Sequence, residues 1–339
     1  MSSRQFETIV YEKSGPVARL TMNRPDRLNG MTNRMLVETR DALAAAAEDR
    51  ELRVLVLTGA GKGFCPGADI GQVASAAPDA PLTADDFRVP ILLHSMTAVT
   101  IAAVNGACAG AGLGWALACD FRFAAESARF NVAFLDVGVA GDMGGPWSLS
   151  RIVGSARARE LYFLPGKFGA AEALRIGLVT RVFPDDRFRE EVDAIVNRLT
   201  DCAPIALRTL KANFVDSERM GFAGYVALES ERHFRMFETE DTREAFAPKP
   251  KSASPSSKAA DRRVLPMRHR LLRRLDHDLR RYRTTRRVTS STNCRAFSSV
   301  RMSGRRRTAA CVSASTTVTT TKAARSRSAT SISSRCASR

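Results

Sequence analysis

The chain has 339 residues, enough for two ordinary domains with a large buried core. Its formal charge of +17 is uneven: residues 248–339 hold 24 Lys and Arg against 3 Asp and Glu, which leaves 28 basic and 32 acidic side chains in residues 1–247. No apolar run approaches the roughly 18 residues of a membrane span, no basic stretch precedes an apolar segment at the start, and seven Cys without CxxC spacing frame no metal site, so a cytoplasmic, metal-free globular protein with a basic tail is expected.

In chain order, Phe6 to Tyr11 and Val17 to Met22 read as paired strands about the Ser14-Gly15-Pro16 turn. Asn23 to Arg27 is a loop. Thr32 is placed to cap a helix running to about Asp49, with Met35, Leu36, Thr39, Leu43 and Ala46 on one face. Residues 53–58 form a continuous apolar run, the pattern of a strand buried on both faces. A long glycine-rich loop, 59–67, follows it. A helix through Leu92, Leu93 and Met96 leads to a second buried strand, Thr100 to Val104, after which Gly110 opens an apolar helix reaching Cys119. Phe121 to Ala124 is a short strand, and segments 146–163, 170–176, 187–200, 203–215 and 218–240 read as helical. The alternation predicts an α/β fold with a mainly parallel sheet and an all-helical C-terminal part. No sequence repeat of solenoid period is visible.

Two strand-to-helix junctions carry dense glycine: Gly59 to Asp69, and Asn105 to Gly112. Glycine there permits tight turns and close approach of a ligand to backbone. Each junction leaves unpaired N–H groups at a helix start, where the dipole favours negative charge. Two such junctions on adjacent strands can converge on one oxygen and stabilise an oxyanion with main-chain donors. Nucleotide readings fail on spacing. Lys62 is followed by Gly63 rather than Ser or Thr, and Gly59-Ala60-Gly61-Lys62-Gly63 has its third glycine one place early for a dinucleotide fingerprint.

These segments, with Asn23-Arg24-Pro25, Leu28-Asn29, Phe64 to Asp69, Ala103 to Asp120, and Gly177-Leu178-Val179, resemble the crotonase (enoyl-CoA hydratase/isomerase) superfamily from about Phe6 to Ala247. The resemblance implies a ββα spiral acyl-CoA-binding core over 1–200 and a C-terminal helical trimerisation region over 201–247. It implies an acyl-CoA thioester substrate, no cofactor beyond the coenzyme A of that substrate, and a homotrimer or dimer of trimers. By family position the main-chain N–H groups of Ala68 and Ala111 would hold the thioester oxygen. Arg27, Leu28, Ala68, Asp69 and Ile70 would surround coenzyme A, and Phe134, Gly114 and Trp115 would line the acyl pocket.

The resemblance is incomplete where the reaction is decided. Hydratases of this family carry two Glu residues that handle the added water; here those positions are Gly114 and Phe134. The acidic residue left nearby is Asp142, in Gly141-Asp142-Met143-Gly144-Gly145-Pro146. By family position it resembles the base of Δ3,Δ2-enoyl-CoA isomerases, or the nucleophile of 4-chlorobenzoyl-CoA dehalogenases. One carboxylate suffices to move a proton between C2 and C4. An Asp before Gly-Gly-Pro is also an ordinary helix cap, and Asp136 is the second candidate. Isomerisation is the expected reaction. Hydration, dehalogenation and coenzyme A binding without catalysis are the alternatives. Cys65 lacks a sequence-local His and reads as packing; His94 and His233 read as helix-face residues, and Trp147 as a core residue or a pocket wall.

Residues 248–339 differ in kind. They contain 20 Arg and 28 Ser or Thr, with Leu, Ile, Val and Phe supplying 12 of 92 positions, too little apolar surface to order a chain. Disorder is expected. An abrupt, aperiodic Arg/Ser/Thr-rich segment reads as an out-of-frame translation. A genuine basic arm would neutralise phosphates, so a nucleic-acid partner is expected only if the tail is native. No membrane partner is expected.

Overall fold

The computed structural model describes residues 6–73 and 79–246. The tail expectation, and Ala247 at the end of the predicted helical region, lie outside these residues. The elements in chain order are β1 (Ile9–Ser14), β2 (Val17–Met22), α1 (Asn33–Glu48), β3 (Val54–Gly59), β4 (Gly63–Cys65), α2 (Ile70–Val73), α3 (Val89–Ser95), β5 (Val99–Val104), β6 (Ala107–Ala109) and α4 (Gly110–Ala118). There follow β7 (Phe121–Ala125), β8 (Arg129–Asn131), α5 (Gly145–Val153), α6 (Ser155–Phe163), β9 (Phe168–Gly169), α7 (Ala170–Arg175), β10 (Arg181–Phe183), α8 (Phe188–Thr200), α9 (Pro204–Ser217), α10 (Phe222–Met236) and α11 (Glu240–Ala245).

The strands form two sheets. One has the order β1-β2-β3-β5-β7-β10 and the other β4-β6-β8-β9. The β1–β2 and β8–β9 pairs are antiparallel; every other pair is parallel. Each turn of the chain places one strand in the large sheet and the next in the small one: β3 then β4, β5 then β6, β7 then β8. This is the ββα spiral, a structural repeat with no sequence repeat beneath it. The small-sheet strands have only two or three residues, too few to show periodicity, and so 59–67 reads as loop although it contains β4.

The continuous apolar runs have the expected cause. Leu55, Leu57, Ala102 and Val104 enter the main core with α1, α3 and α4. Val54, Val56, Ile101 and Ala103 face the other way, against Phe188, Val192 and Val196 of α8. Thr32 caps α1 by accepting from the Met35 N–H at 3.1 Å. The predicted 146–163 helix is two helices, because Gly154 between them has φ +81°. Among the described residues no helix is long and apolar enough to cross a membrane.

A buried ion pair ties α9 to the core. Lys211, 5% exposed, donates to Asp120 at 2.6 Å, and Asp120 accepts from the Thr100 N–H at 2.8 Å. α10 has no buried side chain, and Phe214, Phe222, Phe234 and Phe237 are exposed on α9, α10 and just beyond.

Candidate active site

The 59–67 turn is held by two amide side chains. Asn29, fully buried, donates to the carbonyls of Ala60 at 2.9 Å and Gly63 at 2.7 Å, and accepts from the Arg24 N–H at 2.8 Å. Asn105 donates to the carbonyls of Gly59 and Gly61, both at 2.9 Å, and accepts from the Gly59 N–H at 3.2 Å. Carbonyls that a regular ladder would satisfy are satisfied here by side chains.

At the end of this turn Met31 forms a parallel bridge with Ala68. Its two bonds are Met31 N–H to the Gly67 carbonyl, 2.8 Å, and Asp69 N–H to the Met31 carbonyl, 2.9 Å. The neighbours of Ala68 supply both bonds, so the N–H of Ala68 itself points away from Met31. Ala111 is the second residue of α4, and its N–H is one of the four that an α-helix leaves without an internal acceptor.

Close packing brings the two junctions together. A Cβ on Gly112 would lie 2.3 Å from the Cys65 carbonyl oxygen and 2.8 Å from its sulfur, so α4 rests directly on β4 and only glycine fits. A Cβ on Gly67 would lie 3.6 Å from the Ala111 nitrogen. The Ala68 and Ala111 segments are therefore backbone neighbours.

One turn along α4 from Ala111 is Gly114. A Cβ there would lie 2.5 Å from the Cβ of Met143, which is buried at φ +51°. Met143 thus fills the space a longer residue at 114 would need. Phe134, 8% exposed, stacks on Tyr162 with ring centroids 6.1 Å apart and planes within 3°. Asp142 lies in the chain turn from Gly141 to Gly145, near enough to Tyr162 for its charge to act on the phenol. Its Oδ1 is buried and has no hydrogen-bond partner, and burial pushes its carboxyl above the ordinary range. It does not cap α5: the cap residue is Gly144, with no side-chain cap bond, and Asp142 contributes only its carbonyl, to the Gly145 N–H at 3.0 Å. The cap alternative is corrected by this geometry. Asp136 is exposed in the 135–137 turn.

The residues assigned to coenzyme A share one edge. Arg27, Leu28, Ala68 and Ile70 are exposed, and a Cβ on Gly30 would touch both the Arg27 carbonyl at 3.3 Å and the Asp69 Cβ at 3.4 Å. Asp69 is half-buried and accepts from the Arg24 guanidinium at 2.9 Å. Trp115 is fully buried in the main core. Cys65 is fully buried, and burial pushes its thiol to about 12, so it is no thiolate at neutral pH. His94 pairs with Glu218 at 3.0 Å and lies edge-on to Trp147. Both line a cavity of about 400 Å³ with Leu117, Arg151, Lys211 and Phe214, towards the far end of α4 from Ala111. Met143 and Tyr162 carry no signal in the sequence: nothing in their spacing shows that they meet Gly114 and the Asp142 turn.

Residues 12–252 match the family model described as enoyl-CoA hydratase/isomerase. The chain is 34% identical over 244 residues to a crotonyl-CoA hydratase of Syntrophomonas wolfei, covering 71% of this chain and 94% of that protein. It is 34% identical over 212 residues to the 1,2-epoxyphenylacetyl-CoA isomerase of Escherichia coli, covering 61% and 81%. Among solved structures, an enoyl-CoA hydratase subunit from Geobacillus kaustophilus superposes with a TM-score of 0.66 at 31% identity, over 72% of this chain and 95% of that one. A Thermobifida fusca protein described as an enoyl-CoA hydratase, in complex with acetoacetyl-CoA, gives 0.65 at 29% identity over 68% and 96%.

Proposed function

The chain belongs to the enoyl-CoA hydratase/isomerase family, and on that premise we propose that it shifts the double bond of an enoyl-CoA thioester between C3 and C2, with Asp142 as the base. The observation that carries this reading is the half-buried Asp142 carboxyl, whose Oδ1 is buried and unpartnered and which is not used as a cap. A carboxylate so placed takes a proton from C2 and returns it to C4, leaving no other group to manage. The amides of Ala68 and Ala111 are assigned to the thioester oxygen, which carries the negative charge of the intermediate enolate. Losing one comparable donor elsewhere raises the barrier by about 3–4 kcal/mol.

Arg27, Leu28, Asp69 and Ile70 are assigned to coenzyme A, in keeping with the acetoacetyl-CoA complex of the Thermobifida fusca relative. Phe134, Gly114 and Trp115 are assigned to the acyl pocket and its backing. The exposed phenylalanines of α9 and α10 support self-association, in line with the expected homotrimer. A cytoplasmic location is part of the same proposal.

Hydration is the second reading, favoured by relatives named as hydratases. Against it, Gly114 and Phe134 offer no carboxylate for water, and Met143 fills the space above Gly114. The deciding experiment is Asp142→Asn, assayed with C4 to C16 3-enoyl- and 2-enoyl-CoAs and with product position read by NMR. The proposal expects a loss of several orders of magnitude in isomerisation, on the order of 10³-fold or more, with acyl-CoA binding retained. Unchanged turnover removes Asp142 from the mechanism, and 3-hydroxyacyl-CoA as the main product of the native protein establishes hydration instead.

A further inference from the structure

The turn that carries Asp142 is gripped from one side by a residue to which the sequence assigns no role. Tyr162 of α6 places its ring edge 3.4 Å from where a Cβ on Gly141 would be, and its hydroxyl oxygen 2.0 Å from where a Cβ on Gly145 would be. Both ends of the five-residue turn thus rest on one aromatic side chain. Phe134 lies parallel to that ring, with centroids 6.1 Å apart, and is itself 3.8 Å from the same Gly141 position. We propose that Tyr162 is a positioning residue: backed by Phe134, it clamps the Gly141–Gly145 turn and walls the Asp142 carboxyl off from water, so that the proton removed from the substrate is returned to it rather than lost to solvent. This rests on the reading of Asp142 as the base.

The surroundings leave little else to set the behaviour of Asp142. α4 carries no ionisable side chain. Asp136, on the preceding turn, is exposed. Arg151 of α5 lies over the Trp147 ring at 3.7 Å. On α6, Tyr162 feels the Asp142 charge, which together with burial raises its own phenol. For Asp142, burial is the cause that raises its carboxyl, and the two rings stand at the ends of the turn that carries it. Their geometry also leaves the backbone at Gly145 with no room for a side chain beside the hydroxyl.

The test uses the full chain. Tyr162→Ala and Tyr162→Phe are compared by the pH dependence of kcat/KM with a 3-enoyl-CoA. In parallel, the Asp142 carboxyl is titrated by ¹³C NMR in aspartate-labelled protein, the signal being assigned by its loss in Asp142→Asn. A carboxylate base acts when deprotonated, so activity falls as pH drops through its pKa. Opening the wall lowers that value and moves the acid limb to lower pH, by about one unit, with a fall in kcat on the order of tenfold from misplacement. Tyr162→Phe keeps the ring edge at Gly141 but loses the hydroxyl at Gly145, so it restores the position of the acid limb and recovers kcat only in part. If Tyr162→Ala does not fold, Phe134→Leu removes the backing ring and is read in the same way. An Asp142 titration in the folded variants identical to that of the native protein overturns the proposal. The NMR titration remains decisive even if Asp142→Asn proves fully active, so failure of the clamp and failure of the base assignment are read separately.

Discussion

The Met143 side chain sits directly over Gly114: a Cβ on the glycine would lie 2.5 Å from the Cβ of the methionine. The two residues are 29 positions apart in the chain, yet each fixes what the other can be. Gly114→Ala is therefore expected to cost about 1–3 kcal/mol, the usual range for overpacking a well-filled site. Gly114→Ala with Met143→Gly is expected to recover most of it, because glycine also adopts φ +51° without strain. Urea denaturation of these two variants and of Met143→Gly alone checks this. Strictly additive losses would show that Met143 is not the obstacle.

Asp142 bears on stability with a definite sign. Its pKa is raised in the folded state, so the native protein holds that proton more tightly than the unfolded chain does. The resulting stabilisation is fully present below the unfolded value of about 4 and is lost as pH rises through the raised folded value. At neutral pH the charged carboxyl is a burden. Asp142→Asn is expected to melt higher than the native chain at pH 7, with the difference shrinking as pH falls towards 4. Calorimetry over this range decides it; a lower melting temperature at pH 7 would mean that the carboxylate has a favourable partner.

Three thiols are inert by burial. Cys65 and Cys119 are pushed up to about 12, and Cys108 also lies well above the ordinary thiol value. Cys202 is exposed. Iodoacetamide at pH 8, followed by peptide mapping, is expected to label Cys202 and to leave Cys65, Cys108 and Cys119 unmodified in the folded protein. Rapid labelling of Cys65 would contradict its assignment to packing.

The Lys211–Asp120 pair joins α9 to the N-terminal end of β5 through Thr100. Lys211→Met leaves Asp120 charged beside a buried neighbour, and truncating one partner of a buried pair costs about 3–5 kcal/mol. The lower end is expected, since the Asp120 side chain is 26% exposed. Lys211→Met with Asp120→Asn is expected to recover part of the loss in urea denaturation, and a larger loss in the double variant would show that Asp120 acts mainly through Thr100.

The large elements were legible because burial writes a pattern. Residues 54–57 and 101–104 show unbroken apolar runs since both their faces are covered, one by α1, α3 and α4 and the other by α8. Thr32 announces α1 because a hydroxyl at that place satisfies a free N–H. The glycine-dense junctions mark the site because only glycine lets α4 lie against Cys65. What stayed hidden depends on tertiary meeting. The strands β4, β6 and β8 are too short to show alternation. The break at Gly154 lies inside a sequence that is otherwise good for helix. The contacts of Tyr162 with Gly141 and Gly145 depend on how α6 folds back along α5, which residue spacing does not encode.

The amides of Asn29 and Asn105 hold the 59–63 turn mainly through its main-chain carbonyls. Nothing in that scaffolding depends on the identity of the residues at 68, 111, 114 or 134. A chain built this way separates the support of the turn from the side chains proposed to carry the chemistry, so that the course of the backbone there survives changes in the residues that line the cleft.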